Sequence, residues 1–471
     1  MSDLVVVSNR GPATLRIGES GELEVRHAAG GLAPSLLHAL ERLEGRDRLW
    51  IASTMSEGDR EAARRGLPAE LVGGCALRLV DVPSDVRDAA YRVIANGSLW
   101  FLTHGLFDRT RRPAFDRHWH RAWEGYREFN RLFASEVAER ASEGGVVMVN
   151  DYHLFLVGAF LAELRPDLKT VHFTHTPFPG PDELSVLPQA VLRELLGGLA
   201  AHGAAGFHTP RWADAYLEGA WRVLEGAPMA FAAPLGIDIE ALAAVAESPE
   251  CRAAEERLVE RLAGRQLIFR ADRIELSKNL LRGFLAFEEL LETEPRWRSR
   301  AVFVARAYPS RQDLPEYLAY RNEVERLVER VNERFGSGEN LPIELEIDDD
   351  FPASLAALRR YDVLVVNPIR DGMNLVAKEG PAVNRSDGVV ALSREAGAFG
   401  ELAGPALALD PFDISGTAAV LARALEMPSD ERARRAKELH DRAPGLPPAR
   451  WLERVLGEAR TARPLPPRGQ A

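Results

Sequence analysis

The sequence predicts an α/β protein made of two doubly wound domains, each a parallel sheet covered by helices. Three observations carry this reading. Short β-branched runs alternate with longer amphipathic stretches along most of the chain. The chain has 471 residues, several times the ~100–200 typical of one domain. The segment Ala233-Pro234-Leu235-Gly236-Ile237-Asp238-Ile239 closes one set of strands and precedes a long charged helix from Cys251 to Leu262. The expected domains are therefore residues 1–236 and 237–460, followed by a Pro- and Arg-rich tail, 461–471, without fixed structure.

In the first half the candidate strands are residues 4–8, 145–150, 170–174 and 205–207. The second half offers 267–270, 301–305, 343–347, 363–366, 388–392 and 406–409. Between the second and third of these lies a helical stripe of Val324, Leu327, Val328, Val331 and Phe335. Its spacing turns those residues to the core and leaves Glu and Arg on the solvated face.

Composition narrows the function. Apolar residues make up 46% and charged residues 27%, which excludes wholesale disorder. Lys and Arg number 59 against 70 Asp and Glu, so a nucleic-acid binder working by bulk charge is disfavoured. A local basic pocket for a phosphorylated small molecule remains open. Cys75 and Cys251 are too far apart in sequence for a disulfide framework or zinc cluster, which points to a reducing cytosol. The start shows no basic leader, and no apolar run approaches the ~20 residues that span a bilayer. We expect a cytoplasmic protein with no membrane and no nucleic-acid partner; homo-oligomerisation is left open.

In doubly wound sheets, ligands bind beyond the carboxyl ends of the strands. After the first strand come Asn9 and Arg10, and later the pair Gly30-Gly31 ahead of an apolar helix. Such a pair lets backbone amides approach a phosphate, although a tight loop needs glycines as well. Asp151 and His175 follow successive strands and suit the hydroxyls of a polyhydroxylated ligand. His172 and His175 have H-x-x-H spacing, but odd spacing on a strand separates their faces, and no Cys or third His stands nearby. No metal site is expected there.

The second half is richer. Asp272-Arg273-Ile274-Glu275-Leu276-Ser277-Lys278-Asn279 sets two cations five residues apart at a strand end, a clamp suited to a diphosphate. Asn367 through Glu379 puts Asp371, a Gly turn and Glu379 around a helix start. Asp348-Asp349-Asp350 holds a D-x-D pattern, but Phe351-Pro352 follows at once, so a helix cap is the preferred reading over a metal site.

Taken together, SNR at residues 8–10, GGL at 30–32, DYHL at 151–154, HTPFP at 175–179, DRIELSKN at 272–279 and RDGMNLVAKE at 370–379 resemble the trehalose-6-phosphate synthase family. These are retaining glycosyltransferases of family 20 with the GT-B architecture, two facing Rossmann-like domains with a cleft between them. The likeness runs from about Leu4 to about Leu456. It implies a donor site in which Arg273 and Lys278 grip the diphosphate and Glu379 holds the ribose. The backbone of Asn374, Leu375 and Val376 would meet phosphate and sugar, Asp371 the transferred glucose, and Gly31 would close over the donor. It implies glucose 6-phosphate as acceptor, with Arg10, Tyr91, Trp100 and Arg311 around its phosphate and Asp151 on its hydroxyls. His175 would lie near the reacting centre. Asn279 stands where the family commonly has Gly, Thr176 where it has Ile, and Ser53 in place of the aromatic that often follows the first tryptophan after the glycine loop.

The implied reaction retains anomeric configuration with no cofactor and no metal. Leaving-group charge is met by fixed cations, and no side-chain nucleophile is needed. The donor is UDP- or GDP-glucose, since the sequence does not choose the base. Two other readings stay open: a relative using another phosphorylated polyol or pseudo-sugar acceptor, and a non-catalytic sugar-phosphate sensor.

Overall fold

A computed structural model describes residues 1–18, 22–27, 32–43, 47–65, 75–226, 228–312, 314–338 and 340–461. The chain divides into two compact units. The first comprises Met1–Leu235 and takes back the chain from Pro448 onward; the second is Gly236–Pro447.

The first unit is built on β1 (Ser2–Val7), β4 (Arg48–Ser53), β5 (Ala76–Val80), β6 (Ala141–Asn150), β7 (Lys169–Thr174), β8 (Ala204–Phe207) and β9 (Ala230–Ala232). Their order is β5-β4-β1-β6-β7-β8-β9, every pair parallel. Leu4, Val5, Val6 and Val7 are all buried, as a central strand covered on both faces requires. The order reverses between β1 and β6, which makes their carboxyl ends the switch point of this sheet. Strands β4, β5 and β9 were not anticipated. Nor was the antiparallel hairpin of β2 (Ala13–Ile17) and β3 (Leu23–His27). Asp59 pins that hairpin: its buried carboxylate accepts from the amides of Leu15, Met55 and Ser56 at 3.0, 2.8 and 2.9 Å.

The second unit contains β10 (Gln266–Arg273), β11 (Ala301–Tyr308), β12 (Ile343–Glu346), β13 (Val363–Val366), β14 (Val389–Ser393) and β15 (Leu407–Leu409). All six match expected strands. Their order, β12-β11-β10-β13-β14-β15, is the doubly wound 3-2-1-4-5-6 arrangement, with its switch point between β10 and β13. Two apolar layers cover the sheet. One holds Phe284, Phe287, Trp297 and Phe303; the other holds Phe269, Leu355, Tyr361 and Leu364. Helix Pro315–Phe335 buries Val324, Val328 and Val331 and packs Leu327 and Phe335 at the margin, following the predicted stripe.

One boundary is corrected. Residues 448–460 were expected to close the second domain, yet helix Pro448–Thr461 packs on β6, β7 and β8 of the first. Its apolar face (Trp451, Leu452, Val455, Leu456) is buried there. Trp451 meets the Phe173 ring edge-on at 4.8 Å and donates from Nε1 to the Ala233 carbonyl at 3.0 Å. The outgoing and returning segments run side by side: the Gly236 and Ile237 amides donate to the carbonyls of Leu446 and Pro444 at 2.8 and 3.1 Å. A side chain at Gly236 would collide with both carbonyls. The tail expected over 461–471 lies outside the described residues, apart from Thr461, which ends the helix. Among the described residues no helix is long and apolar enough to cross a membrane.

Candidate active site

In the second unit the switch point gathers the predicted donor residues. Arg273 ends β10, and a short turn at Leu276–Lys278 follows. Lys278 Nζ lies 2.7 Å from Asp371 Oδ2 and 3.8 Å from Asp272 Oδ1. Burial opposes the ammonium charge, but Asp371 and Asp272 outweigh it and push the Lys278 pKa up. Asp371 also accepts from Asn374 Nδ2 at 3.2 Å. Arg273 pairs with Glu275 at 3.1 Å while keeping 47% of its side chain exposed, so one face remains open to a ligand.

Arg311 joins this cluster. Its side chain is only 10% exposed, Nη1 meets Glu275 Oε1 at 3.2 Å and donates to the Tyr317 hydroxyl at 2.6 Å, and its φ is 44°. Glu275 thus serves two guanidiniums. Burial opposes its ionisation, yet Arg273, Arg311 and the Ser310 hydroxyl hold its carboxyl down at about 2.

The Asp371 loop leads through Asn374 (φ 69°) and Leu375 into helix Val376–Val383. The first amides of a helix lack intrahelical acceptors, so this start offers donors to an anion. Glu379 sits one turn on, half-buried, its carboxyl pushed up to about 7 by burial. The next residue inward, Lys378, is fully buried and points elsewhere, to Glu401 at 2.6 Å.

Residues that sequence reasoning missed hold the loops. The Asp371 amide donates to the Glu395 carbonyl at 3.1 Å, and the Gly397 amide to the Asp371 carbonyl at 3.2 Å. A side chain at Gly397 would strike the Gly372 carbonyl, so only glycine lets the two loops approach this closely. Arg270, 1% exposed, ties Asp272 at 2.7 Å to the Lys278 carbonyl at 2.8 Å. Asn279 adopts φ 59°, a left-handed conformation that Asn tolerates better than most residues. Its amide nitrogen bonds the carbonyls of Asn367 and Pro411 at 3.0 and 2.7 Å. Its substitution for glycine therefore preserves the turn.

In the first unit, exposed Arg10 follows β1 and donates from Nη2 to the Tyr91 hydroxyl at 3.1 Å. Tyr91 stacks on His153, with ring centroids 5.8 Å apart at 18°. Trp100 is 2% exposed and packs against Phe101 and His104, with ring centroids 5.3 and 4.5 Å away.

Asp151 adopts φ 69°, a strained conformation for a residue other than glycine. Its amide donates to the Phe173 carbonyl at 2.8 Å, and its Oδ1 accepts from the His175 amide at 3.3 Å. His175 Nε2 is 3.1 Å from Asn150 Oδ1, while Asn150 Nδ2 is committed to the Val7 carbonyl at 3.1 Å. That oxygen only accepts, so Nε2 carries the proton and Nδ1 accepts from His208 Nε2 at 3.2 Å. Burial, reinforced by His208 and His172, holds the His175 pKa well below its ordinary value, which keeps the ring neutral. His172 instead faces His202, with ring centroids 5.5 Å apart.

Gly31 and its neighbours at 28–30 lie outside the described residues. In the acidic run, Asp350 caps helix Phe351–Leu358 through the Ala353 amide at 2.9 Å, and Asp348 pairs with Arg306 at 2.6 Å. Among the described residues no group of three or more His, Cys, Asp or Glu is arranged to hold a metal ion.

The sequence profile of Glycosyltransferase family 20 matches residues 2–461. This chain belongs to that family. A bifunctional trehalose-6-phosphate synthase/phosphatase of Thermoproteus tenax is 33% identical over 95% of this chain and 62% of its own. A solved structure described as trehalose-6-phosphate from E. coli bound with UDP-2-fluoro glucose superposes with TM-score 0.84, at 28% identity, covering 98% of this chain and all of the other (100%). An α,α-trehalose-phosphate synthase (UDP-forming) from Burkholderia xenovorans in complex with glucose-6-phosphate gives 0.82, at 29% identity, with 97% and 99% coverage. The chain spans about half to three-fifths (49–62%) of the length of the curated relatives it matches first. The two Rossmann-like units of this family 20 member are those of the GT-B class.

Proposed function

We propose that this chain is a retaining glucosyltransferase that makes trehalose 6-phosphate from a nucleotide-activated glucose and glucose 6-phosphate. One observation carries the reading: Lys278, held at 2.7 Å by Asp371 and flanked by half-exposed Arg273, stands at the switch point beside the start of helix Val376–Val383. Fixed cations and helix amides at that place stabilise the charge developing on a departing diphosphate without reorganising. Asp371, already oriented by Lys278 and Asn374, is set to accept from a hydroxyl of the transferred sugar. Glu379, with a carboxyl that titrates near neutrality, suits the ribose hydroxyls.

On the acceptor side, Arg10 and Arg311 read the phosphate, while Asp151 and neutral His175 bind sugar hydroxyls. The acceptor hydroxyl attacks from the face the diphosphate leaves, and its proton passes to a phosphate oxygen. Asp348 and Asp350 are engaged by Arg306 and by the helix they precede, which supports turnover without a divalent ion. A sensor could dispense with the donor groups, yet Arg273, Lys278, Asp371 and Glu379 are all present. The relatives bound to UDP-2-fluoro glucose and to glucose-6-phosphate favour the same substrates here.

The test is a panel of UDP- and GDP-glucose against glucose 6-phosphate, followed by released nucleoside diphosphate and repeated under exhaustive chelation. One donor should turn over with retained configuration and survive chelation. No release with either donor would overturn the enzyme reading, and a requirement for Mg²⁺ or Mn²⁺ would overturn the metal-free one.

A further inference from the structure

Tyr308 took no part in the sequence expectations, yet it stands beside the donor residues. It ends β11 directly opposite Arg273 in the parallel register of β10 and β11, so the two side chains leave the sheet on the same face about 5 Å apart at their Cα atoms. Its carbonyl accepts from the Ile274 amide at 2.9 Å, which fixes its backbone against the turn carrying Arg273 to Lys278. The charged groups that act on its half-buried phenol are Arg273, Lys278, Asp272 and Glu379, the groups assigned to the donor.

Neighbouring tyrosines are already used. Tyr317 accepts from Arg311 at 2.6 Å and Tyr320 from the Leu280 amide at 2.8 Å. The Tyr308 hydroxyl makes no hydrogen bond to any of the described residues. Burial outweighs the nearby cations and raises its pKa, so at neutral pH the phenol keeps a proton to donate. A neutral donor placed beside two cations matches an anionic oxygen that those cations also hold.

We propose that Tyr308 is a substrate-binding residue whose hydroxyl donates a hydrogen bond to a phosphoryl oxygen held by Arg273 and Lys278. The inference rests on the glucosyl-transfer reading. The oxygen belongs to the diphosphate of the nucleotide, the group that those two cations serve.

The experiment measures calorimetric Kd for UDP, GDP and UMP, and KM for glucose 6-phosphate, in wild type, Tyr308→Phe and Tyr308→Leu. Losing one hydrogen bond to a charged group should weaken binding about 10-fold. With the diphosphate as partner, Tyr308→Phe loses that factor for whichever diphosphate binds, UMP changes less, and the Tm holds. A loss confined to the KM of glucose 6-phosphate would overturn the contact with the diphosphate. Tyr308→Leu should lose little more than Tyr308→Phe. If Tyr308→Phe keeps every wild-type constant, or only Tyr308→Leu is impaired, the ring merely packs and the inference fails alone. Wild-type protein that binds neither UDP nor GDP overturns the functional reading and this inference with it.

Discussion

The two sheets reverse their strand order beside their first strand, and each gathers polar groups there, but the groups differ in kind. At the second switch point the groups are ions already paired: Lys278 with Asp371, and Arg273 and Arg311 on one glutamate. At the first, neutral rings predominate beside the Asp151 carboxylate: His175 is bonded to Asn150 and His208, His172 faces His202, and exposed Arg10 lies further out. The fold decides where a ligand goes, and side-chain chemistry decides which part of it goes there. A departing diphosphate calls for fixed positive charge, whereas sugar hydroxyls can be met by a carboxylate such as Asp151 and by a ring kept neutral such as His175.

The contrast is broken most severely at Lys278. Lys278→Ala and Arg273→Ala should each lose roughly 2–4 kcal/mol of transition-state stabilisation, read as kcat/KM for diphosphate release. Near-normal turnover in both would show that the leaving group is stabilised elsewhere. A smaller effect is expected where charge is sparse. Arg10→Ala should cost the preference for glucose 6-phosphate over glucose about 10-fold, as one charge-assisted bond warrants, and leave the nucleotide Kd unchanged. If Arg10→Ala and Arg311→Ala both keep that preference, the acceptor phosphate is not read by these arginines.

Acidity separates the two regions further, and in opposite directions. Burial holds His172, His175 and His202 below their ordinary 6.5, so the stability they contribute is complete above that pH and falls as acid charges them. Burial raises Glu379 from 4.5 to about 7, so its contribution is complete below pH 4.5 and is lost as pH climbs through 7. Region-resolved hydrogen exchange, corrected for intrinsic rate, should show β7 and β8 loosening towards pH 5 and helix Val376–Val383 loosening towards pH 8. Glu379→Gln should gain stability over wild type across that upper range; a constant difference at every pH would contradict the buried-acid account. The smallest effect concerns Asn279. Asn279→Gly keeps the left-handed turn but loses three side-chain bonds, to Asn367, Pro411 and Arg282, for about 1 kcal/mol by denaturant titration, and Asn279→Ala should cost more through backbone strain.

The second sheet was legible because its central strands are buried apolar runs bounded by polar turns, while edge strand β12, Ile-Glu-Leu-Glu, reads as an alternating strand with Ile343 buried. The first was less so. β5, Ala-Leu-Arg-Leu-Val, sits at the sheet edge and pairs Arg78 with Glu136 at 3.0 Å, so it reads as mixed, and β9 has only three residues. Motif spacing marked Lys278 and Asp371 but not that they touch, since 93 positions separate them. Arg311, set in a loop, was marked by the resemblance alone, and only the partner Glu275 explains its burial. Trp100 was marked by the resemblance alone, and its burial beside Phe101 and His104 follows from the fold. Tyr308 carried no signal: it lies beyond the expected strand 301–305, which the structure extends to include it.

The return of helix Pro448–Thr461 to the first unit has a consequence for synthesis. The second unit is one uninterrupted stretch, whereas the first lacks a buried tryptophan, Trp451, until more than two hundred further residues have emerged. On a ribosome, the unit begun second is the one whose sequence is completed first. The unit begun first must wait, with the apolar surface of β7 uncovered, for its last helix to be translated.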